Sequence, residues 1–114
     1  MLPARLKPDH YKEKERLRSP AHRDWVRGHY CSVPGCQLMP IEVAHVSRAF
    51  SGGMGMKSSD AMTASLCREH HAESHRLGER SFNAKHGIDL MAIAKEFYQR
   101  SPHKGKLDDP WRNL

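Results

Sequence analysis

The stretch Cys67-Arg68-Glu69-His70-His71-Ala72-Glu73-Ser74-His75 constrains this chain most. It gathers one thiol and three imidazoles on what reads as a single short helix. His71 and His75 are spaced i, i+4 and share one helix face, while Cys67 and His70, at i, i+3, look out from a neighbouring face. A polar chain concentrates soft ligands this densely where metal is to be held. The helix is therefore expected to serve two sites, Cys67/His70 on one and His71/His75 on the other.

Upstream, Tyr30-Cys31-Ser32-Val33-Pro34-Gly35-Cys36 places two thiols on either side of a Pro-Gly turn. With Cys67 and His70 they complete a Cys3His set, a usual composition for closed tetrahedral zinc. The C-x4-C half sits at the wide end of the usual spacing, so the set of four carries the argument. The alternative is three ordinary core cysteines. Only 38% of the 114 residues are hydrophobic, which leaves a thin core for one small domain, and such domains lean on metal or disulfides. Three cysteines cannot all pair with one another, so structural Zn2+ is the better account in a reducing compartment.

Lys and Arg number 19 against 13 acids, for a formal charge of +6. That excess favours a polyanionic partner, the alternative being a basic but inert surface. No apolar run approaches the ~20 residues of a transmembrane helix. The segment Met1-Leu2-Pro3-Ala4-Arg5 lacks the apolar core of a signal peptide. A soluble, cytoplasmic protein without a membrane partner is expected.

Residues 1–18 read as a basic arm, 19–102 as the domain, and 103–114 as a polar tail apart from Trp111. Ser19-Pro20 predicts a helix start, with Trp25 and Val26 inward and Gly28 as the stop. Ile41–Val46 alternates as a strand, and a second strand is expected near Met62–Leu66. The histidine helix should stop by Gly78, and a short helix over Glu79–Lys85 should be capped by Gly87. Asp89 caps the clearest amphipathic helix, whose core face is read as Leu90, Ile93, Ala94 and Phe97. The fold class expected is α+β: a small zinc-stapled ββα core with flanking helices.

Three histidines stay unassigned: His45 at the strand end, His71 and His75. Together with Gly52-Gly53-Met54-Gly55, Asp60 and Leu66-Cys67-Arg68-Glu69-His70-His71-Ala72-Glu73-Ser74-His75, they make a pattern that resembles the HNH (ββα-metal) endonuclease superfamily, in particular small phage- and prophage-type HNH proteins. The resemblance covers about residues 29–77. It implies a metal-dependent DNA endonuclease that hydrolyses phosphodiester bonds. His45 would be the general base, with His71 and His75 holding one divalent cation (Mg2+, Mn2+ or Zn2+). Phage or host recombination proteins are possible further partners.

Two positions depart from the family. Ala44 stands where many members carry an Asp or His that ligates metal, and Met62 stands where the middle Asn is counted. Glu42 or Asp60 is the candidate replacement for the missing ligand, and Asp60 the candidate to orient His45. Arg48, Lys57, Arg68 and Arg76 flank the site and are candidates for phosphate contact, while Glu73 is expected to face solvent. The rival reading is a zinc-bound DNA-binding module whose catalytic site has decayed. Taken singly, His45 could be a hydrogen-bonded core histidine, and His71 and His75 solvent-facing.

Overall fold

The computed structural model of the chain describes residues 18–46, 59–107 and 109–113. The glycine loop at 52–55, Arg48 and Lys57 lie outside these residues, as does the basic arm up to residue 17. The architecture is α+β, with four α-helices around a two-stranded antiparallel sheet among the described residues. No helix there is long and apolar enough to cross a membrane.

The first helix, α1 (Pro20–Arg27), starts as the Ser-Pro pair predicts. Ser19 Oγ accepts from the His22 amide at 3.2 Å, and Pro20 occupies a first-turn position that needs no amide donor. Val26 is buried, but Trp25 is only half-buried. The second fully buried side chain is His22. Its Nδ1 lies 2.8 Å from Ser101 Oγ and its Nε2 3.4 Å from Thr63 Oγ1, so both nitrogens have partners. Burial lowers its pKa to about 4, which keeps the ring neutral at ordinary pH.

Strands β1 (Ile41–His45) and β2 (Thr63–Cys67) pair with Ile41 opposite Cys67 and His45 opposite Thr63. The register sends Cys67 to one end of the ribbon and His45 to the other. β2 starts one residue later than expected because residues 59–62 close a turn first, with the Met62 amide donating to Ser59 O at 3.0 Å. Met62 is itself fully buried, a packing residue of the core.

Cys67 is not part of the histidine helix. It ends β2 in extended conformation and caps α2 (Arg68–Leu77), its Sγ accepting from the His70 amide at 3.4 Å. The thiol therefore belongs to the strand–helix junction, and only the three imidazoles belong to the helix. Next, α3 (Glu79–His86) closes on Gly87, whose φ of 64° is the left-handed conformation that glycine adopts without strain.

The last helix, α4 (Leu90–Arg100), begins at Asp89, whose Oδ1 accepts from the amides of Met91 and Ala92. Its buried row is Leu90, Ala94 and Tyr98. Ile93 and Phe97, expected in the core, lie half-buried on its shoulder. The i, i+4, i+8 row faces the sheet here, which turns the i+3 positions to the edge. The segment beyond residue 103 is more than a polar tail. It forms short turns at Lys104–Lys106 and Pro110–Asn113, and Trp111 packs against the core with its Nε1 donating to Ala61 O at 3.2 Å.

Candidate metal centre and histidine cleft

At the Cys67 end of the ribbon the four predicted ligands meet. The Pro34-Gly35 turn is closed by the Cys36 amide donating to Val33 O at 3.1 Å, and Gly35 takes the positive φ of 79° that such a turn needs. The Ser32 amide donates to Ser65 O at 2.8 Å and pins this loop to β2. His70 Nδ1 then lies 3.4 Å from Cys31 Sγ and 3.2 Å from Cys67 Sγ, and Cys36 Sγ lies 3.9 Å from Cys67 Sγ. The four ligand atoms all fall within 4.8 Å of one another. Tetrahedral bonds of ordinary zinc length set sulfur–sulfur edges at ~3.8 Å and sulfur–nitrogen edges at ~3.6 Å. The set can hold a metal ion. Burial pushes the Cys31 thiol up to about 11, so a cation is what would draw this buried group into its thiolate form.

Beside this cluster lies a second group, built on Glu73. Glu73 does not face solvent: its side chain is 15% exposed and is held by Lys85 Nζ at 2.7 Å, by a short contact with His86 Nε2, and by Arg76 Nη2 at 3.6 Å. The hydrogen bonds from Lys85 and His86 hold its carboxyl at about 2. His70, Glu73 and His86 also bring ligand atoms within 4.8 Å of one another. His86 comes from a different helix, and no spacing in the sequence links it to His70.

Along α2 from the metal cluster, His71 and His75 face β1. With Ala44, His45, Val46, Ser74, Gly78, Glu79 and Leu90 they line a cleft of about 250 Å³. His71 Nε2 and His75 Nε2 are 3.2 Å apart. Two nitrogens bound to one cation at ~2.1 Å stand ~3.0–3.4 Å apart, so the pair fits a shared ion. Glu42 shares a strand face with Ala44 by alternation, and its Oε1 accepts from His71 Nδ1 at 2.8 Å. Its contact is with the imidazole, not with the space between the two histidines. Asp60 is directed elsewhere.

Asp60 is fully buried and holds His45. Its Oδ1 lies 2.8 Å from His45 Nε2 and 3.1 Å from Arg18 Nη1. Its Oδ2 accepts from the Ser19 amide at 2.6 Å and lies 3.4 Å from Arg23 Nη1. Burial opposes ionisation, yet the His45 hydrogen bond, the Ser19 amide and the Arg23 charge outweigh it and hold the carboxyl below its usual range. Arg18 Nη1 is also 3.2 Å from His45 Nε2. One nitrogen cannot both donate to Asp60 and accept from Arg18, and the shorter contact assigns its hydrogen to the carboxylate.

Arg18 thus belongs to the site, although its place in the chain reads as arm, and Arg23 carries no sequence signal that links it to Asp60. Of the flanking cations, Arg76 is exposed on α2 next to His75. Arg68 sits instead beside the metal cluster, near Cys67 and the exposed Leu38 and Met39.

No curated protein and no solved structure matches the chain. Residues 8–105 match the family described as "Protein of unknown function (DUF968)". That span holds the metal cluster, the His45–Asp60 pair and the histidine cleft, and by a match over most of its length the chain belongs to the DUF968 family.

Proposed function

We propose that this protein is a metal-dependent DNA endonuclease of the HNH kind, stapled by zinc at Cys31, Cys36, Cys67 and His70. The observation that carries the reading is the convergence of His45, His71 and His75 on one cleft, each already oriented by a partner or by the other. His45 is the general base. Its Nε2–H is held on Asp60, which leaves Nδ1 to take a proton from the attacking water. His71 donates Nδ1–H to Glu42, which leaves Nε2 as the ligand facing His75. His71 and His75 would hold a divalent cation, which would supply positive charge against the negative charge developing at the phosphodiester. Arg76 and the net charge of +6 supply sequence-independent attraction to the DNA backbone.

The test is plasmid nicking. Protein dialysed against a mild chelator should lose activity and keep the zinc enclosed by three thiolates, and added Mg2+ or Mn2+ should restore nicking. Ala44 favours one second reading, since it lines the cleft and offers no ligand. A protein that binds DNA in a salt-dependent manner but never cuts with any cation would be a zinc-bound DNA-binding module. Full cutting with no added cation after dialysis would refute the cation site at His71 and His75.

A further inference from the structure

We propose that a second pocket, between α1 and α4, takes an unpaired DNA base, so that the preferred substrate carries single-stranded or unstacked nucleotides. This rests on the DNA reading above. The pocket measures about 300 Å³, and its walls include Trp25, His29, Tyr30 and Phe97 with Arg100 at the rim. That volume lies at the small end of ligand sites and suits one planar group. Trp25, His29 and Phe97 pack edge to face, with ring centroids 4.8, 5.7 and 4.9 Å apart, which holds them as fixed walls. Tyr30 is 62% exposed, a large aromatic face left in water.

The chemistry suits a base. Stacking on aromatic rings is tolerant of sequence because every base has a π-face. Ser32 adds a half-buried hydroxyl to the lining for a polar base edge, while the buried Ser65 hydroxyl donates to Tyr30 O at 2.8 Å and fixes the Tyr30 backbone at the wall. Arg100 is paired with Glu96 at 2.9 Å, both exposed, and such pairs hold little, so its guanidinium is available to a phosphate. The position also fits. Leu90, Ile93 and Phe97 form one stripe of α4; Leu90 lines the histidine cleft while Ile93 and Phe97 line the pocket. At the helical rise Leu90 and Phe97 are ~10 Å apart along the axis, so cleft and pocket flank the same helix, and the proposal has one strand span both. A paired base is hidden in its stack and cannot enter without being flipped out.

The experiment uses the His45→Ala protein, without divalent cation, and two labelled DNAs: a single-stranded 12-mer and a blunt-ended duplex with every base paired. Tyr30→Ala, at an exposed position, should weaken single-strand binding by about fivefold or more and leave duplex binding unchanged. The chain has two tryptophans, so Trp111→Phe leaves Trp25 as the reporter, and the single strand should quench it more than the duplex does. Equal effects of Tyr30→Ala on both DNAs, no effect on either, or an unquenched Trp25 would overturn the pocket. Plasmid nicking by Tyr30→Ala in the His45 background of the natural chain separates the two proposals. Cutting with no pocket effect removes only this inference, while absence of any DNA binding or cutting removes the nuclease reading with it.

Discussion

His71 Nδ1 donates to Glu42 Oε1 across 2.8 Å, joining the histidine helix to the first strand. The bond determines which nitrogen of His71 keeps a lone pair. Nε2 is left facing His75 Nε2 at 3.2 Å, a separation that one cation can bridge. A carboxylate behind a ligating imidazole raises its basicity and locks its orientation. On the proposed reading, Glu42 would offset the lack of a ligand at Ala44 indirectly, by improving His71 as a ligand.

Glu42→Ala is expected to raise the Mg2+ or Mn2+ concentration for half-maximal nicking by about 10–100-fold, with the rate at saturating cation much less affected. Glu42 is partly exposed, so folding should survive. A metal-concentration curve for plasmid nicking checks this, and an unchanged midpoint would remove Glu42 from the site.

Cys67→Ser should release about one zinc per chain and lower the melting temperature by at least about 10 °C. Structural zinc can contribute roughly 10–16 kcal/mol of apparent folding free energy, and Cys67 joins the strand end, the helix cap and the cluster. Elemental analysis with a thermal melt decides it; full zinc content at wild-type stability would exclude Cys67 as a ligand.

His45→Ala should lower nicking by about 10²–10⁴-fold while zinc content and DNA affinity stay as they were. Asp60→Asn should lower nicking too, but also destabilise, because Asp60 holds Ser19, Arg18 and Arg23 as well as His45. Cleavage by His45→Ala within about twofold of the natural protein would dismiss it as the base.

Acid should destabilise the protein through His22. Its folded pKa of about 4 lies below the ordinary 6.5, so the unfolded chain binds the proton more readily. The full contribution is present above pH 6.5 and is lost as pH falls towards 4, up to about 3 kcal/mol. His22→Gln cannot take up that proton and should narrow the stability difference between pH 7 and pH 4.5. Urea titrations of both proteins measure it; parallel losses in the two would assign the acid sensitivity to other groups.

Local chemistry made much of this molecule legible from its residues. Ser19-Pro20, Asp89 and Gly87 mark helix ends because the groups that satisfy or release the backbone are sequence neighbours. Cys31, Cys36, Cys67 and His70 were legible as one set because soft ligands are rare in a polar chain, and the fold brings them together. What tertiary structure alone decided are the pairings between distant segments. The β1–β2 register put Cys67 and His45 at opposite ends of the ribbon, separating the Cys/His cluster from the cleft. Glu73 turned from solvent to Lys85 and His86, Arg18 turned from the arm to Asp60, and His22 became a buried neutral ring. Each of these depends on which surface a side chain meets after the chain closes. Charge, polarity and helical spacing constrain a residue's near neighbours, but they do not choose its partner across the core.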